Sequence, residues 1–146
     1  MTRGRARAIL ALAFVAGPGG ALTLAWLDQG HLSGRQPLLS WQAAVLMIGV
    51  APVLEELAFR GAMTDLVQGV LKRLAIADTF GLTPTNLLTS IAFAACHLPY
   101  QSVQMSCAVV LPSLLLGKIR EVTGAVGPCI VAHAWFNMCY LMIAAA

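Results

Sequence analysis

Seventeen consecutive residues without a charge, from Leu38 to Leu54, end abruptly in two adjacent carboxylates, Glu55 and Glu56. The length and character of this run are typical of a helix that crosses a lipid bilayer, which needs about 20 mostly apolar residues. The bilayer core offers no water to the backbone, so a continuous apolar run of this kind folds as a helix. An ionisable side chain in such a segment costs about 2.5–3.5 kcal/mol and therefore points to a function.

The rest of the chain also has the composition of a membrane protein. Of its 146 residues, 59% are hydrophobic and 10% are charged, whereas soluble domains carry about 25% charged residues. Residues 61–76 place apolar and polar side chains on opposite faces, which predicts one amphipathic interfacial helix; an ordinary packed helix of a soluble core is the alternative. The predicted fold class is an all-α polytopic membrane protein with about five transmembrane helices, near residues 8–27, 38–58, 84–100, 102–117 and 125–145.

The arginines and lysines predict the orientation, because positive charge favours the cytoplasmic side of a membrane. With a cytoplasmic N-terminus, Arg35 falls outside and the other basic residues fall inside: Arg3, Arg5, Arg7, Arg60, Lys72, Arg73, Lys118 and Arg120. The predicted location is the inner (cytoplasmic) membrane, with the N-terminus in the cytoplasm and the C-terminus outside. This topology explains the net charge of +3, and no nucleic-acid partner is expected.

The chain is predicted to divide into an N-terminal anchor span with an outer loop, residues 1–37, and a functional core, residues 38–146. The N-terminal arginines, followed by an apolar run that contains residues 17–20 (GPGG), also resemble a secretory signal. Because the apolar character continues to Leu27, a retained anchor is the favoured interpretation.

Three more polar side chains lie within the predicted spans. His97 and His133 fall in separate spans, and Asn137 shares a helical face with His133 because four residues separate them. A single intramembrane histidine or asparagine is as readily explained by contacts between helices as by catalysis. Together with Glu55, however, these residues form a set of four on three helices, which favours a site.

The two glutamates are expected to have different roles. They point about 100° apart around the helix, so one can face a cavity while the other turns towards Arg60. A carboxylate in a cavity of low dielectric constant can accept a proton from water. Histidine and asparagine side chains can orient that carboxylate and stabilise the oxyanion that forms when water attacks a carbonyl. No serine lies in a GxSxG-like setting, so a serine nucleophile is not expected.

Three short motifs resemble those of the CPBP intramembrane proteases, a family that includes the type II CAAX prenyl endopeptidase and bacteriocin-processing and immunity proteins. Residues 55–61 resemble its EExxxR motif, residues 93–97 its FxxxH motif and residues 133–137 its HxxxN motif. The resemblance covers roughly residues 40–142. It implies an all-helical membrane fold and hydrolysis of a peptide bond near a substrate's C-terminus or within a leader. Larger members carry additional spans before the glutamate motif, whereas one predicted span precedes it here.

The resemblance also implies roles for individual residues. Glu55 would activate the water with help from His97, and His133 with Asn137 would bind the oxyanion. The supporting residues of the same motifs are Glu56 and Arg60, which are expected to pair, and Phe93.

Metal-free and metal-dependent mechanisms are both described for this family. Two histidines and a glutamate can bind zinc, and the ligands would then be Glu55, His97 and His133. Because these residues come from three helices without HExxH spacing, we expect a glutamate-type enzyme without a metal or other cofactor. The expected partners are the lipid bilayer and a protein or peptide substrate.

Two other functions are compatible with parts of the sequence. A non-catalytic immunity or partner-binding protein could use the same scaffold, although such a protein would tend to have lost one catalytic residue. A haem- or quinone-binding subunit could use His97 and His133 as axial ligands. That function leaves Glu55, Glu56 and Arg60 unexplained.

Overall fold

The computed structural model of the protein describes residues 3–27, 40–74 and 82–144, and the regular elements within these ranges are all helices. The predicted all-α membrane fold class is confirmed. The predicted outer loop, with Arg35, lies outside the described residues. The helices are α1 (Arg3–Leu27), α2 (Trp41–Arg73), α3 (Pro84–His97), α4 (Val103–Ala108), α5 (Val110–Thr123) and α6 (Gly127–Ala144).

Helix α2 differs from the prediction. One helix of 33 residues replaces the predicted span 38–58 and the separate interfacial helix 61–76. The two parts are joined by a π-helical segment, Leu57–Met63, in which the helix continues with wider turns. No proline follows Pro52 in this helix, so nothing in the sequence forces a break there. The apolar stripe of the predicted interfacial helix is present and exposed at the C-terminal end of α2: Leu66, Val70 and Leu74.

The five predicted spans appear in order as helical segments, but they differ in length. Among the described residues, three stretches are long and apolar enough to cross a membrane: Gly4–Leu24, Trp41–Arg73 and Val103–Thr123, which comprises α4 and α5. The apolar part of α6 is shorter. Helix α3 has 14 residues and is therefore about 21 Å long, less than the hydrocarbon thickness of about 30 Å. It ends early because Pro99 follows closely and cannot continue the backbone hydrogen-bond pattern.

Apolar side chains face outwards and polar ones lie in the interior of the bundle. Val15 and Leu111 are 73% and 72% exposed, whereas Glu56 and Arg60 are among the largest fully buried side chains. A soluble protein shows the opposite distribution, because large apolar side chains are normally removed from water. The outer surface therefore suits contact with lipid.

Helices α1 and α6 pack closely and run parallel. Ala13 shares a buried cluster with Cys129 and Ala132, and one turn later Gly17 lies against Trp135. A Cβ atom on Gly17 would lie 2.5 Å from the indole nitrogen of Trp135, so this approach requires glycine. Since positions in both helices advance together, the start of α1 and the end of α6 lie at opposite ends of the bundle.

Helices α3 and α5 run antiparallel. The hydroxyl of Thr83, which caps α3, donates to Glu121 at 2.7 Å, and Asn86 Nδ2 donates to Leu114 O at 3.0 Å. A Cβ atom on Gly117 would overlap the Asn86 amide group. This close packing carries the C-terminal half of α3 into the interior of the bundle.

Candidate active site

The glutamate pair lies where α2 changes its helix type. Glu55 and Glu56 end a short α-helical stretch, Ala51–Glu56, between two π-helical segments, Val45–Val50 and Leu57–Met63. A π segment inserts one residue into a helix and shifts the direction of the side chains that follow, and such segments are frequent at functional sites. The two carboxylates occupy different environments, because Glu56 is fully buried whereas the Glu55 side chain is 34% exposed.

Glu56 pairs with Arg60 in the interior. Glu56 Oε2 lies 3.4 Å from Arg60 Nε. Arg60 Nη2 donates to the backbone oxygen and to the hydroxyl of Ser113, at 2.7 and 2.6 Å. The guanidinium also lies 4.9 Å from the centroid of the Phe93 ring, within the range of a cation–π contact. A buried charge is tolerated only when it is paired and hydrogen-bonded, so these contacts fix α2 against α3 and α5.

His133 of α6 lies between the two carboxylates. Its Nδ1 is 2.8 Å from Glu56 Oε1, and its Nε2 is 3.7 Å from Glu55 Oε2. With Glu56 ionised opposite Arg60, the carboxylate can only accept, so Nδ1 is the donor. Glu56 thereby fixes the orientation of the imidazole, as a carboxylate does for the histidine of a catalytic triad. The second ring nitrogen is left facing Glu55.

His97, the last residue of α3, is held by its own helix. Its Nδ1 lies 2.9 Å from Phe93 O, and because a carbonyl can only accept, Nδ1 donates. In the neutral ring, Nε2 is then an acceptor. The Phe93 ring packs 4.6 Å from His97 and presents an edge-to-face contact to His133 at 5.8 Å. The phenylalanine of the FxxxH motif therefore lies between the two histidines.

Asn137 supplies a hydrogen bond to a backbone carbonyl of α2 that has lost its usual donor. Its Nδ2 donates to Met47 O at 2.8 Å. That carbonyl needs a partner from another helix, because Ala51 N–H bonds to Leu46 O and Pro52 has no N–H. The amide group has a second hydrogen, which this bond does not use.

A cavity of about 510 Å³ opens beside these residues, a size typical of ligand pockets. His97, His133 and Asn137 line it together with apolar side chains of α4 and α5. Its opposite wall is formed by residues 16–24 of α1, a stretch rich in glycine and alanine. Glu55 is not among the described residues that line the cavity, but it contacts His133, which does line it.

The structure groups some of the predicted site residues and separates others. Glu55 and Glu56 meet at His133, and both histidines face one cavity. His97 and Glu55 make no direct contact among the described residues, because His97 is held at the end of α3 by Phe93. In this arrangement His133, rather than His97, is the histidine next to Glu55.

The donor atoms do not form a metal site in this arrangement. Among the described residues, no three His, Cys, Asp or Glu side chains lie close enough together to hold a metal ion. The zinc ligands that the family resemblance allows would be Glu55, His97 and His133. Both histidines bond through Nδ1, which leaves Nε2 of each ring available and is compatible with metal binding. What does not fit zinc is the spacing, because Glu55 contacts His133 and the three side chains do not converge on one point.

Two residues that contact Arg60 are not among the predicted site residues. Ser113 holds the Arg60 guanidinium, and Arg120 Nε donates to the Arg60 backbone oxygen at 2.9 Å. In the sequence, Ser113 is a single hydroxyl in an apolar run, and Arg120 is one of several inner-side charges. Arg60 itself is buried and paired, so it does not belong in a count of loop charges. Without Arg60, seven basic residues are predicted on the cytoplasmic side and one, Arg35, on the outer side.

Comparison with known proteins identifies one family. The family model described as type II CAAX prenyl endopeptidase, Rce1-like, matches residues 37–139. The matched region contains α2 to α5, most of α6 and all three motifs. No curated protein and no solved structure matches the chain.

Proposed function

The chain belongs to the Rce1-like family of type II CAAX prenyl endopeptidases, and we propose that it is an intramembrane endopeptidase of the glutamic type. Its substrate would be a membrane-associated protein or peptide, cleaved for C-terminal processing or for removal of a sorting tag or leader. One observation carries the proposal: His133 is held by Glu56 through one ring nitrogen while the other faces Glu55.

In the proposed reaction, water adds to the carbonyl carbon of the scissile bond and transfers one proton to Glu55. The tetrahedral oxyanion then collapses, the C–N bond breaks, and the leaving nitrogen takes the proton from Glu55. The products are an amine and a carboxylic acid, and Glu55 is again a carboxylate. Because Nδ1 of the neutral His133 ring donates to Glu56, Nε2 is an acceptor, and at 3.7 Å from Glu55 it is placed to share this proton once Glu55 has taken it up.

The remaining cavity-lining groups are proposed to act on the substrate side. The acceptor nitrogen of neutral His97 can bind a hydrogen of the attacking water, and the second amide hydrogen of Asn137 can donate to the oxyanion. Both side chains line the same cavity. This assignment moves His133 from the oxyanion site, where the family resemblance puts it, to Glu55, because its free nitrogen faces that carboxylate.

We place the protein in the inner (cytoplasmic) membrane, with its N-terminus in the cytoplasm and its C-terminus outside. The parallel packing of α1 and α6 supports opposite sides for the two ends, and the basic residues support the direction. His133 lies six residues from the start of α6, or about 9 Å along the helix axis. With this orientation the site opens in the cytoplasmic half of the bilayer.

A cleavage screen tests the proposal. Purified protein in liposomes is incubated in ¹⁸O-labelled water with a library of C-terminal peptides, each in a prenylated and an unprenylated form. We expect mass spectrometry to show at least one cleaved peptide with ¹⁸O in its new carboxylate, and no cleavage by Glu55→Gln. A wild-type protein that cleaves no peptide would contradict the proposal and favour the non-catalytic scaffold. Activity that a strong chelator abolishes and zinc restores would contradict the metal-free mechanism.

The geometry gives no support to a haem- or quinone-binding role. Axial ligation through His133 Nε2 would displace the contact of this nitrogen with Glu55. The buried Glu56–Arg60 pair would have no purpose in such a site.

A further inference from the structure

At the end of the second π segment of α2, one backbone carbonyl loses the donor that a regular α-helix would give it. The N–H of Thr64 bonds to Phe59 O and to Gly61 O. The carbonyl between them, Arg60 O, is passed over at the point where α-helical geometry resumes. Arg120 of α5 fills this position, because its Nε donates to Arg60 O at 2.9 Å.

The first π segment is secured in the same way. There the carbonyl that is passed over is Met47 O, and Asn137 of α6 donates to it. Each irregularity of α2 is therefore held by a side chain from another helix. Asn137 belongs to the HxxxN motif, whereas Arg120 lies outside all three motifs.

Helix α5 binds both the side chain and the backbone of Arg60. Ser113 binds the guanidinium and Arg120 binds the backbone oxygen. These two residues are seven positions apart, which puts them on one face of α5 two turns apart. Arg60 in turn pairs with Glu56, which orients His133. The position of the α2 backbone at Arg60 is thus coupled to both carboxylates.

We propose that Arg120 is a positioning residue for the catalytic glutamates, an inference that rests on the proposed endopeptidase function. By binding Arg60 O it stabilises the π geometry of Leu57–Met63. If this segment relaxed to an α-helix, Glu55 and Glu56 would rotate by about 100° relative to the C-terminal part of α2.

Arg120 acts through Arg60 and not on the substrate. It is not among the described residues that line the 510 Å³ cavity. It lines a separate polar cavity of about 190 Å³, next to Asp65 and Glu121. Besides the hydrogen bond to Arg60 O, Arg120 Nη2 forms an ion pair with Asp65, at 3.7 Å, and the Asp65 side chain is 69% exposed.

A matched pair of substitutions separates the hydrogen bond from the bulk of the side chain. Arg120→Gln places an amide N–H the same number of bonds from the backbone as the arginine Nε, whereas Arg120→Met places a methyl group there. The probe is the peptide cleaved best in the library screen. We expect Arg120→Met to lower kcat about 10- to 100-fold with KM changed less than about twofold. Arg120→Gln is expected to restore kcat to within about threefold of the wild type.

The controls distinguish this role from general stability and from the Asp65 contact. Asp65→Asn removes that contact and is expected to leave kcat and the thermal unfolding temperature unchanged. Arg120→Lys carries its donor one bond further out, and its kcat is expected to lie between those of Arg120→Met and the wild type. If Arg120→Met does not fold, a wild-type kcat in Arg120→Lys overturns the proposal on its own.

The outcomes also separate this inference from the proposed function. If the wild type cleaves, Glu55→Gln does not, and Arg120→Met cleaves at the wild-type kcat, the inference on Arg120 is wrong and the proposed function stands. Equal losses in Arg120→Met and Arg120→Gln would also overturn it, because the hydrogen bond would not be the cause. A wild type without activity contradicts both.

Discussion

At the scale of single residues, Glu56 is the group on which the rest of the site depends. One of its oxygens faces Arg60 and the other accepts from His133, so one carboxylate neutralises a buried guanidinium and orients an imidazole. Glu55 is partly exposed and contacts the opposite nitrogen of His133. The offset of about 100° between adjacent helical residues gives the two glutamates these separate environments.

Loss of the Glu56 charge is expected to destabilise the fold. In Glu56→Gln the Arg60 guanidinium stays buried without a counter-charge, and breaking a buried ion pair in this way costs about 3–5 kcal/mol. Thermal unfolding in detergent, followed by circular dichroism, measures the effect. Asp65→Asn is the matched acid-to-amide control, and its exposed pair with Arg120 is worth less than about 1 kcal/mol. Equal unfolding temperatures for the two variants would show that the Glu56–Arg60 pair does not stabilise the protein.

At the scale of helices, close backbone approaches determine where the site residues lie. Helix α3 carries Phe93 and His97 into the interior because Gly117 of α5 lets the Asn86 side chain lie directly against its backbone. Helix α1 reaches α6 in a similar way at Gly17. These contacts join helices that are distant in sequence, so they are not visible in the hydrophobic pattern.

Filling the space at Gly117 is expected to displace α3. The new methyl group of Gly117→Ala would overlap the Asn86 amide, and overpacking of this kind costs about 1–3 kcal/mol. Because α3 also carries His97, peptide cleavage should fall as well. Gly69→Ala is the matched control, since no heavy atom lies within 4 Å of the added carbon. That variant should be neutral or up to about 1 kcal/mol more stable, and a Gly117→Ala protein that behaves like it would refute the close packing.

Much of α2 could be predicted from the sequence, but its irregularities could not. The Glu56–Arg60 pair follows from a spacing of four residues on one helix, which is local information. No single residue encodes the π segments. The sequence therefore does not show that the helix continues through Leu57–Met63, and it predicts two helices where one runs from Trp41 to Arg73. The bond between Glu56 and His133 joins residues 77 positions apart, and its geometry depends on how the helices pack.

At the scale of the whole molecule, α1 is part of the bundle that encloses the cavity. Pro18 has no N–H and so cannot donate to Phe14 O, its partner one turn earlier in the helix. Trp135 Nε1 of α6 donates to that carbonyl instead, at 3.0 Å. The rings of Phe14 and Trp135 stack 4.5 Å apart. Residues 16–24 then form one wall of the cavity. We therefore expect α1 to be retained in the active protein, although it precedes the matched region, residues 37–139.

The parallel arrangement of α1 and α6 leads to a prediction about topology. An alkaline phosphatase fused after Ala146 is expected to be active, because it would lie outside the cytoplasm. The same reporter fused after Arg73, at the end of α2, is expected to be inactive. An inactive reporter at Ala146 together with an active one at Arg73 would show that the protein is inserted the other way round.

The cleavage rate of Glu55→Gln tests the central claim most directly. With the best peptide of the library, in liposomes and at equal amounts of folded protein, we expect kcat to fall by about 10²–10⁴-fold, the range that a general base contributes. The unfolding temperature should stay close to that of the wild type, since the Glu55 side chain is partly exposed. A Glu55→Gln protein that cleaves the peptide within about threefold of the wild-type rate would contradict the assignment of Glu55 as the base.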